Sequence, residues 1–245
     1  MHASFLFEVM YMPGRRSRNT TQKEIILTAT RMFLERGYSA TSIKAISDEL
    51  GISTGNLTFH FPTKEDLLAV LVQMLYTFHW DTTELAAGTD RSSPETVCLE
   101  LPMMAAICEE NPIARDFYLN AYMHTKTLQI IQSSDVARAA QVYAPWCPDW
   151  TDRDYVLAQI LISGIEYATL MSTPDTPPLE QRLPSALNGI LAVYRVPAET
   201  RQTVIDTVLA TDYRQMGRSI LKNFITYTRE LSEEMLETLF LPERS

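Results

Sequence analysis

Between Gly51 and Pro62 the chain reads Ser53-Thr54-Gly55-Asn56-Leu57-Thr58-Phe59-His60, a short segment crowded with hydroxyl, amide and imidazole groups. Such groups suit hydrogen-bonded recognition of a polar edge rather than bond making. Asn56 can exchange paired hydrogen bonds with an adenine, Thr54 and Thr58 can touch a thymine methyl or a phosphate, and Gly55 lets a backbone come close. Covalent and metal chemistry lack their constellations. The four histidines, His2, His60, His79 and His124, have no paired metal spacing, and no phosphate loop, nucleophile elbow or carboxylate–histidine motif occurs. Neither catalysis nor a metal or cofactor is expected.

The elements that must position this segment are legible from caps and periodicity. Thr21 and Glu24 have capping-box spacing, Ile25, Ile26, Ala29, Met32 and Phe33 recur every three or four residues, and Gly37 supplies a stop, so a first helix is expected from Thr21 to about Arg36. Thr41 or Ser42 caps a second, with Ile43, Ile46 and Leu50 inward and Gly51 at the turn. Ser53 caps a third, with Leu57 and Phe61 inward and Pro62 ending it, and Thr63 starts a fourth. This is a helix-turn-helix arrangement, in which Ser47 is small where two helices cross and Ile52 and Leu57 fill the wedge. Ser53, Thr54, Asn56, Thr58, Phe59 and His60 are then left for a DNA major groove. A generic helical hairpin has the same turn chemistry. Packing is the competing role for Phe59 and His60.

Charge divides along the chain in the same sense. Net charge is -9, yet residues 1–64 carry 8 Lys+Arg against 5 Asp+Glu while the rest carries 13 against 25. A basic head precedes an acidic body. Arg15, Arg16 and Arg18, beside Pro13, Gly14 and Ser17, compose a flexible basic arm able to enter a minor groove. Lys64 and the hydroxyls of Thr41 and Ser42 are expected on the DNA backbone. The third helix has no arginine or lysine, so paired guanine contacts are not expected from it and readout should lean on Asn56, threonine contacts and shape, with A-T-rich half-sites favoured.

Glycine contributes 8 of 245 residues, about 3% against a usual ~7%. Helix is favoured over sheet. Three cysteines, Cys98, Cys108 and Cys147, form no disulfide framework and fit a reducing cytoplasm. The longest uncharged run, from Leu67 to Trp80, is too short to span a membrane, and the opening residues have no signal-peptide pattern; Met10 and Met12 are alternative starts.

From Ile25 to Leu68, the order Ala29…Phe33…Arg36-Gly37-Tyr38…Thr41-Ser42-Ile43…Ile46-Ser47…Leu50-Gly51-Ile52-Ser53…Gly55-Asn56-Leu57…His60-Phe61-Pro62-Thr63-Lys64-Glu65…Leu67-Leu68 resembles the TetR family of transcriptional regulators. The resemblance implies an all-α protein: an N-terminal three-helix DNA-binding head, then a larger helical domain that binds an effector and dimerises. It implies a homodimer on a palindromic operator, usually repressing and released by a small molecule. Thr58 departs from the pattern, since family members usually have tyrosine there, and Phe59 stands where tyrosine or histidine is frequent. The divisions expected are an arm over 1–18, a head over 19–66 and a body over 67–245. A helical protein-interaction module without operator recognition, and more remotely an all-helical enzyme, are the competing readings.

In the body, helices are expected from Thr63 to about Gly88, Pro94 to Glu110, Pro112 to His124, Thr125 to Tyr143, Asp152 to Ser172, Pro178 to Tyr194 and Ala198 to Leu241, with a kink at Pro102. Met74, Phe78, His79, Met104, Phe117, Tyr118, Tyr122, Tyr167 and Met171 can line a cavity for an apolar or aromatic molecule, although such stripes also serve as plain core. Tyr155 to Met171 is apolar on nearly every face, so it and Pro178 to Tyr194 are assigned to a four-helix dimer interface, with Ala158 and Gly164 allowing close approach.

Overall fold

The computed structural model describes residues 16–86, 93–171, 173 and 175–231, with side chains from residue 21 to 78 and from 93 onward. Helices follow one another without a strand among the described residues: α1 Arg16–Arg36, α2 Ile43–Leu50, α3 Thr54–His60, α4 Lys64–Ala86, α5 Pro94–Glu110, α6 Pro112–Met123, α7 Thr125–Ser134 and α8 Val136–Tyr143. After a short 3-10 turn at Ala144–Trp146 come α9 Asp152–Leu170, α10 Leu179–Val193, α11 Ala198–Leu209 and α12 Tyr213–Glu230. The fold is the all-α one expected, with a helix-turn-helix head ahead of a larger helical body.

In the head, Ser42 and Ser53 are the N-caps of α2 and α3, accepting the amides of Ala45 and Asn56 at 3.0 and 3.1 Å. Gly51 closes α2 at φ 65°, a left-handed turn that costs glycine nothing. Ile25, Phe33, Ile46, Leu57 and Phe61 are fully buried, and their cluster runs on through Leu67, Leu68, Leu71 and Met74 of α4 into the body without a gap. Head and body share one core.

Several boundaries differ from the periodicity. The first helix begins at Arg16, so Thr21 and Glu24 lie inside it and the backbone of Arg16 and Arg18 is helical; arginine is a strong helix former and nothing breaks the run before Thr21. Arg15 and the rest of the expected arm lie outside the described residues. The single helix expected from Thr125 to Tyr143 is two, parted at Asp135, whose carboxylate is drawn into the body. The one expected from Ala198 to Leu241 is also two: Thr211 bonds back to the carbonyl of Val208 at 2.7 Å and Asp212 caps Gln215 at 3.0 Å, local bonds that stop one helix and start the next. Residues beyond 231 lie outside the description. Helix α5 continues through the buried Pro102.

In the body α5 packs against α6, α11 and α12, α4 runs along α7, and α9 lies beside α10. No described helix is long and apolar enough to cross a membrane.

Candidate functional site

On α3 one face is spent on structure and the other is exposed. Leu57 is buried, whereas Ser53, Thr54, Gly55 and Asn56 are exposed and Phe59 is 63% exposed, so the competing packing role for Phe59 is not what the fold gives it. Thr58 and His60 are half-buried, and the Phe59 and His60 rings meet edge to face at 5.5 Å. Thr58 bonds back to the carbonyls of Thr54 and Gly55 at 3.0 and 3.3 Å. The crossing with α2 is fixed at Ser47, fully buried, whose hydroxyl donates to the carbonyl of Lys44 at 2.9 Å and lies 3.2 Å from the Thr54 hydroxyl.

Two expected DNA contacts turn out to be framework. Thr41 is 1% exposed and its hydroxyl donates to the carbonyl of Gly37 at 2.8 Å, anchoring the loop between α1 and α2. Lys64 does not point outward: its ammonium donates to the carbonyls of Tyr38 and Thr41, each at 3.0 Å, and sits 3.9 Å over the Tyr38 ring. The Tyr38 carbonyl also accepts the Thr41 amide at 3.1 Å, so the lysine adds a charged donor that ties the loop's backbone to the start of α4. Burial lowers its pKa from the ordinary lysine value. The same packing, with the charges of Glu65 and Asp116 nearby, pushes the Tyr38 phenol up to about 12. Ser42 stays exposed, its oxygen engaged as a cap.

Helix α6 touches both the head and the body's cavity. Asp116 accepts the Ser39 amide at 2.8 Å and also its hydroxyl, and Asn120 donates to the Ser39 hydroxyl at 3.3 Å. Just beyond α6, His124 Nδ1 lies 3.3 Å from Glu65, and Lys126 pairs with the buried Asp66 at the start of α4. Burial alone would raise the Asp66 carboxyl; the hydrogen bonds from Lys126 and Thr63 outweigh it and bring the pKa below the usual carboxylate value.

Next along α6, Phe117, Tyr118 and Tyr122 line a cavity of about 320 Å³, together with Met104 of α5. Other expected lining residues go elsewhere. Met74 is fully buried outside it, Phe78 packs its ring 5.4 Å from Phe224, and Tyr167 stands behind Tyr122 at 6.3 Å between ring centres. Met171 is 40% exposed because α9 ends at Leu170 and the chain turns outward. The side chain of His79 lies outside the described residues.

Sequence reasoning missed the polar wall of this cavity: Tyr76, Glu100, Asp135, Arg138 and Glu166. Tyr76 donates to Asp135 at 3.2 Å, Tyr122 donates to Glu166 at 2.9 Å, and Arg138 pairs with Glu100. Burial pushes Asp135 up to about 7 and Glu166 up to about 8; the charge of Glu100 raises both and that of Asp135 raises Glu166, against the lowering effect of Arg138 and the Tyr76 hydroxyl on Asp135 and of the Tyr122 hydroxyl on Glu166. The available signal was a carboxylate set within an apolar stretch, Glu100 between Leu99 and Leu101 and Glu166 between Ile165 and Tyr167.

Outside, α9 turns Val156, Leu157, Ile160 and Leu161 to the surface at 45 to 60% exposure. Gly164 is exposed with open space around it, but Ala158 is 3% exposed and packs inward, so close approach by a second helix would not occur at Ala158.

Residues 25–71 match the family model of the bacterial regulatory proteins of the tetR family. The uncharacterized HTH-type transcriptional regulator YuxN of Bacillus subtilis is 39% identical over 77 residues, 31% of this chain and 25% of YuxN. The HTH-type transcriptional repressor KstR2 of Mycobacterium tuberculosis is 38% identical over 55 residues, 22% of this chain and 28% of KstR2. The chain thus spans about a quarter of the length of these relatives. Among solved structures, full-length native TylP, a TetR regulator from Streptomyces fradiae, is 20% identical, with a TM-score of 0.43 over 80% of this chain and 93% of its own. The matched residues hold most of α1, all of α2 and α3 and the start of α4, so the similarity to the tetR family of bacterial regulatory proteins covers the helix-turn-helix head.

Proposed function

We propose that the protein is a cytoplasmic, homodimeric transcriptional repressor that binds a palindromic operator and leaves it when a small molecule enters the α4–α9 cavity. The observation that carries this reading is the two-sidedness of α6, which holds Ser39 of the head by Asp116 and Asn120 and lines the cavity with Phe117, Tyr118 and Tyr122. A ligand that favours another placement of α6 therefore acts on the head through direct bonds, and coupling of this kind is typically worth about 1–3 kcal/mol. Operator DNA must weaken the ligand by the same factor.

In this reading residues 1–18 are an arm, 19–66 the DNA-binding head and 67–245 the effector and dimerisation domain. Ser53, Thr54, Gly55, Asn56, Thr58, Phe59 and His60 read the major groove, Ser42 contacts a phosphate, and Arg15, Arg16 and Arg18 supply charge beside it. Met104, Phe117, Tyr118 and Tyr122 touch the effector. Two copies join through the exposed apolar face of α9 with α10, since four large apolar side chains in one stripe are more than a lone helix leaves in water. The three buried free cysteines accord with a reducing compartment.

Selection of binding sites from random duplex DNA, followed by a screen for molecules that dissolve the complex, tests this. A discrete palindrome and at least one releasing molecule are expected. Equal binding to every duplex would favour the protein-interaction reading instead.

A further inference from the structure

The cavity lined by α4 to α9 and by Ile220 of α12 has an apolar half and an acidic half. Met103, Met104, Ile107 and Phe117 form the first. Asp135 and Glu166 form the second, and the hydroxyls nearest them, those of Tyr76 and Tyr122, already donate to these carboxylates. The cation in the wall, Arg138, is paired with Glu100. Tyr118 completes the lining: it is nine-tenths buried, and among the described residues its hydroxyl has no hydrogen-bond partner. Three carboxylates, Glu100, Asp135 and Glu166, thus meet one cation, Arg138, and with the unmet Tyr118 phenol they border a partly open cavity of about 320 Å³.

We propose that this cavity binds an apolar amine, its hydrocarbon or aromatic body against Met103, Met104 and Phe117 and its ammonium on Asp135 and Glu166. An ammonium brings three donors and no acceptor to a wall whose open capacity is mostly acceptor. It also supplies the charge whose absence makes two neighbouring buried carboxylates costly, whereas an organic anion would add a third like charge. Burial raises the proton affinity of both carboxylates, and a cation placed beside them would lower it again. This assignment rests on the effector-binding role of the cavity and names the class of molecule that fills it.

The test is calorimetric titration of the purified full-length protein with three probes of one shape: naphthylmethylamine, naphthylmethanol and naphthoate. The amine is expected to bind at least about tenfold more tightly than the alcohol, with naphthoate weakest, since an uncompensated buried charge costs more than 1.4 kcal/mol. In buffers of different ionisation enthalpy near neutral pH, amine binding should release protons. The protons come from Asp135 and Glu166, among Tyr76, Glu100, Tyr122, Arg138 and Tyr118 as the other titratable groups of the lining. Glu166→Gln and Asp135→Asn, checked for folding by circular dichroism, should each shrink the amine preference, and together erase it. Alcohol or naphthoate binding as tight as the amine, or no amine binding at millimolar concentration, overturns the proposal using the unaltered protein alone. Operator release is read separately: an amine that binds with the stated preference but leaves selected DNA bound supports the cavity assignment and overturns the effector-release reading.

Discussion

The carboxylate of Asp116 accepts the amide of Ser39 at 2.8 Å, tying α6 of the body to the loop that follows α1. One residue further along α6, Phe117 faces the cavity. Asp116→Ala removes this tie while leaving the reading face of α3 and the cavity lining in place. Any molecule found to release the operator should then do so less: the ratio of operator affinities without and with it should fall at least about threefold, part of a coupling typically near 1–3 kcal/mol. Fluorescence anisotropy on labelled operator gives both affinities. An unchanged ratio would remove Asp116 from the connection.

Lys64 serves the loop between α1 and α2 rather than a phosphate. Lys64→Met should lower stability by about 1–3 kcal/mol, the cost of two carbonyls losing a charged donor and of a lost contact with the Tyr38 ring. The salt dependence of DNA affinity should stay the same. A phosphate contact would instead flatten the log-log slope by about 0.9 when removed, so melting and a salt titration together separate the two roles.

On α3, Asn56→Ala should weaken selected operator DNA by about 1–3 kcal/mol, with the loss confined to one base position in each half-site. Asn56 is exposed and its side chain holds no structural bond among those described, so the melting temperature should move little. A mobility-shift series over single-base operator variants measures this. Uniform weakening over all variants would point to a backbone contact.

Leu157→Glu combined with Leu161→Glu places two charges on the exposed stripe of α9. If this stripe joins two copies, sedimentation equilibrium should show a monomer, and operator affinity should fall with it because two heads no longer bind as a unit. Helical content by circular dichroism should be unchanged, as neither side chain is buried within the chain. A variant that remains dimeric would move the interface elsewhere.

Asp135 and Glu166 make the stability of the protein sensitive to pH. Their folded pKa values, about 7 and about 8, lie above unfolded values near 4, so the folded state binds more protons between those limits. The stability they confer is complete below about pH 4 and is lost as pH rises through 7 to 8. From pH 5 to 8.5 the protein should lose on the order of 6 kcal/mol more than the Asp135→Asn, Glu166→Gln double variant. Chemical denaturation at several pH values compares them, and parallel curves would mean that these carboxylates are not strained by burial.

The head was readable because its signals act over a few residues. Ser42 and Ser53 cap helices with their own hydroxyls, Gly51 takes the left-handed turn, and Pro62 ends α3, each by chemistry confined to one helical turn. The same local logic failed where a side chain had two destinations. Thr41 and Lys64 look like surface groups in a basic head, but the fold leaves the carbonyls of Gly37, Tyr38 and Thr41 within their reach. An aromatic stripe likewise announces an apolar face without saying whether that face meets a neighbour or a void, which is why Met74 and Phe78 went to core while Phe117 and Tyr118 border the cavity.

By itself, then, the sequence determined an all-helical chain, a helix-turn-helix head with Leu57 inward and Asn56 outward, and an apolar α9, because caps, turns and periodicity are written in neighbouring residues. Only the tertiary structure decided that Asp135 on one side of a helix break and Glu166 on α9 share a cavity with Tyr118, and that α6 joins that cavity to Ser39. Those meetings join residues from separate helices. They are set by how the helices pack and where they stop, and no short-range pattern encodes that.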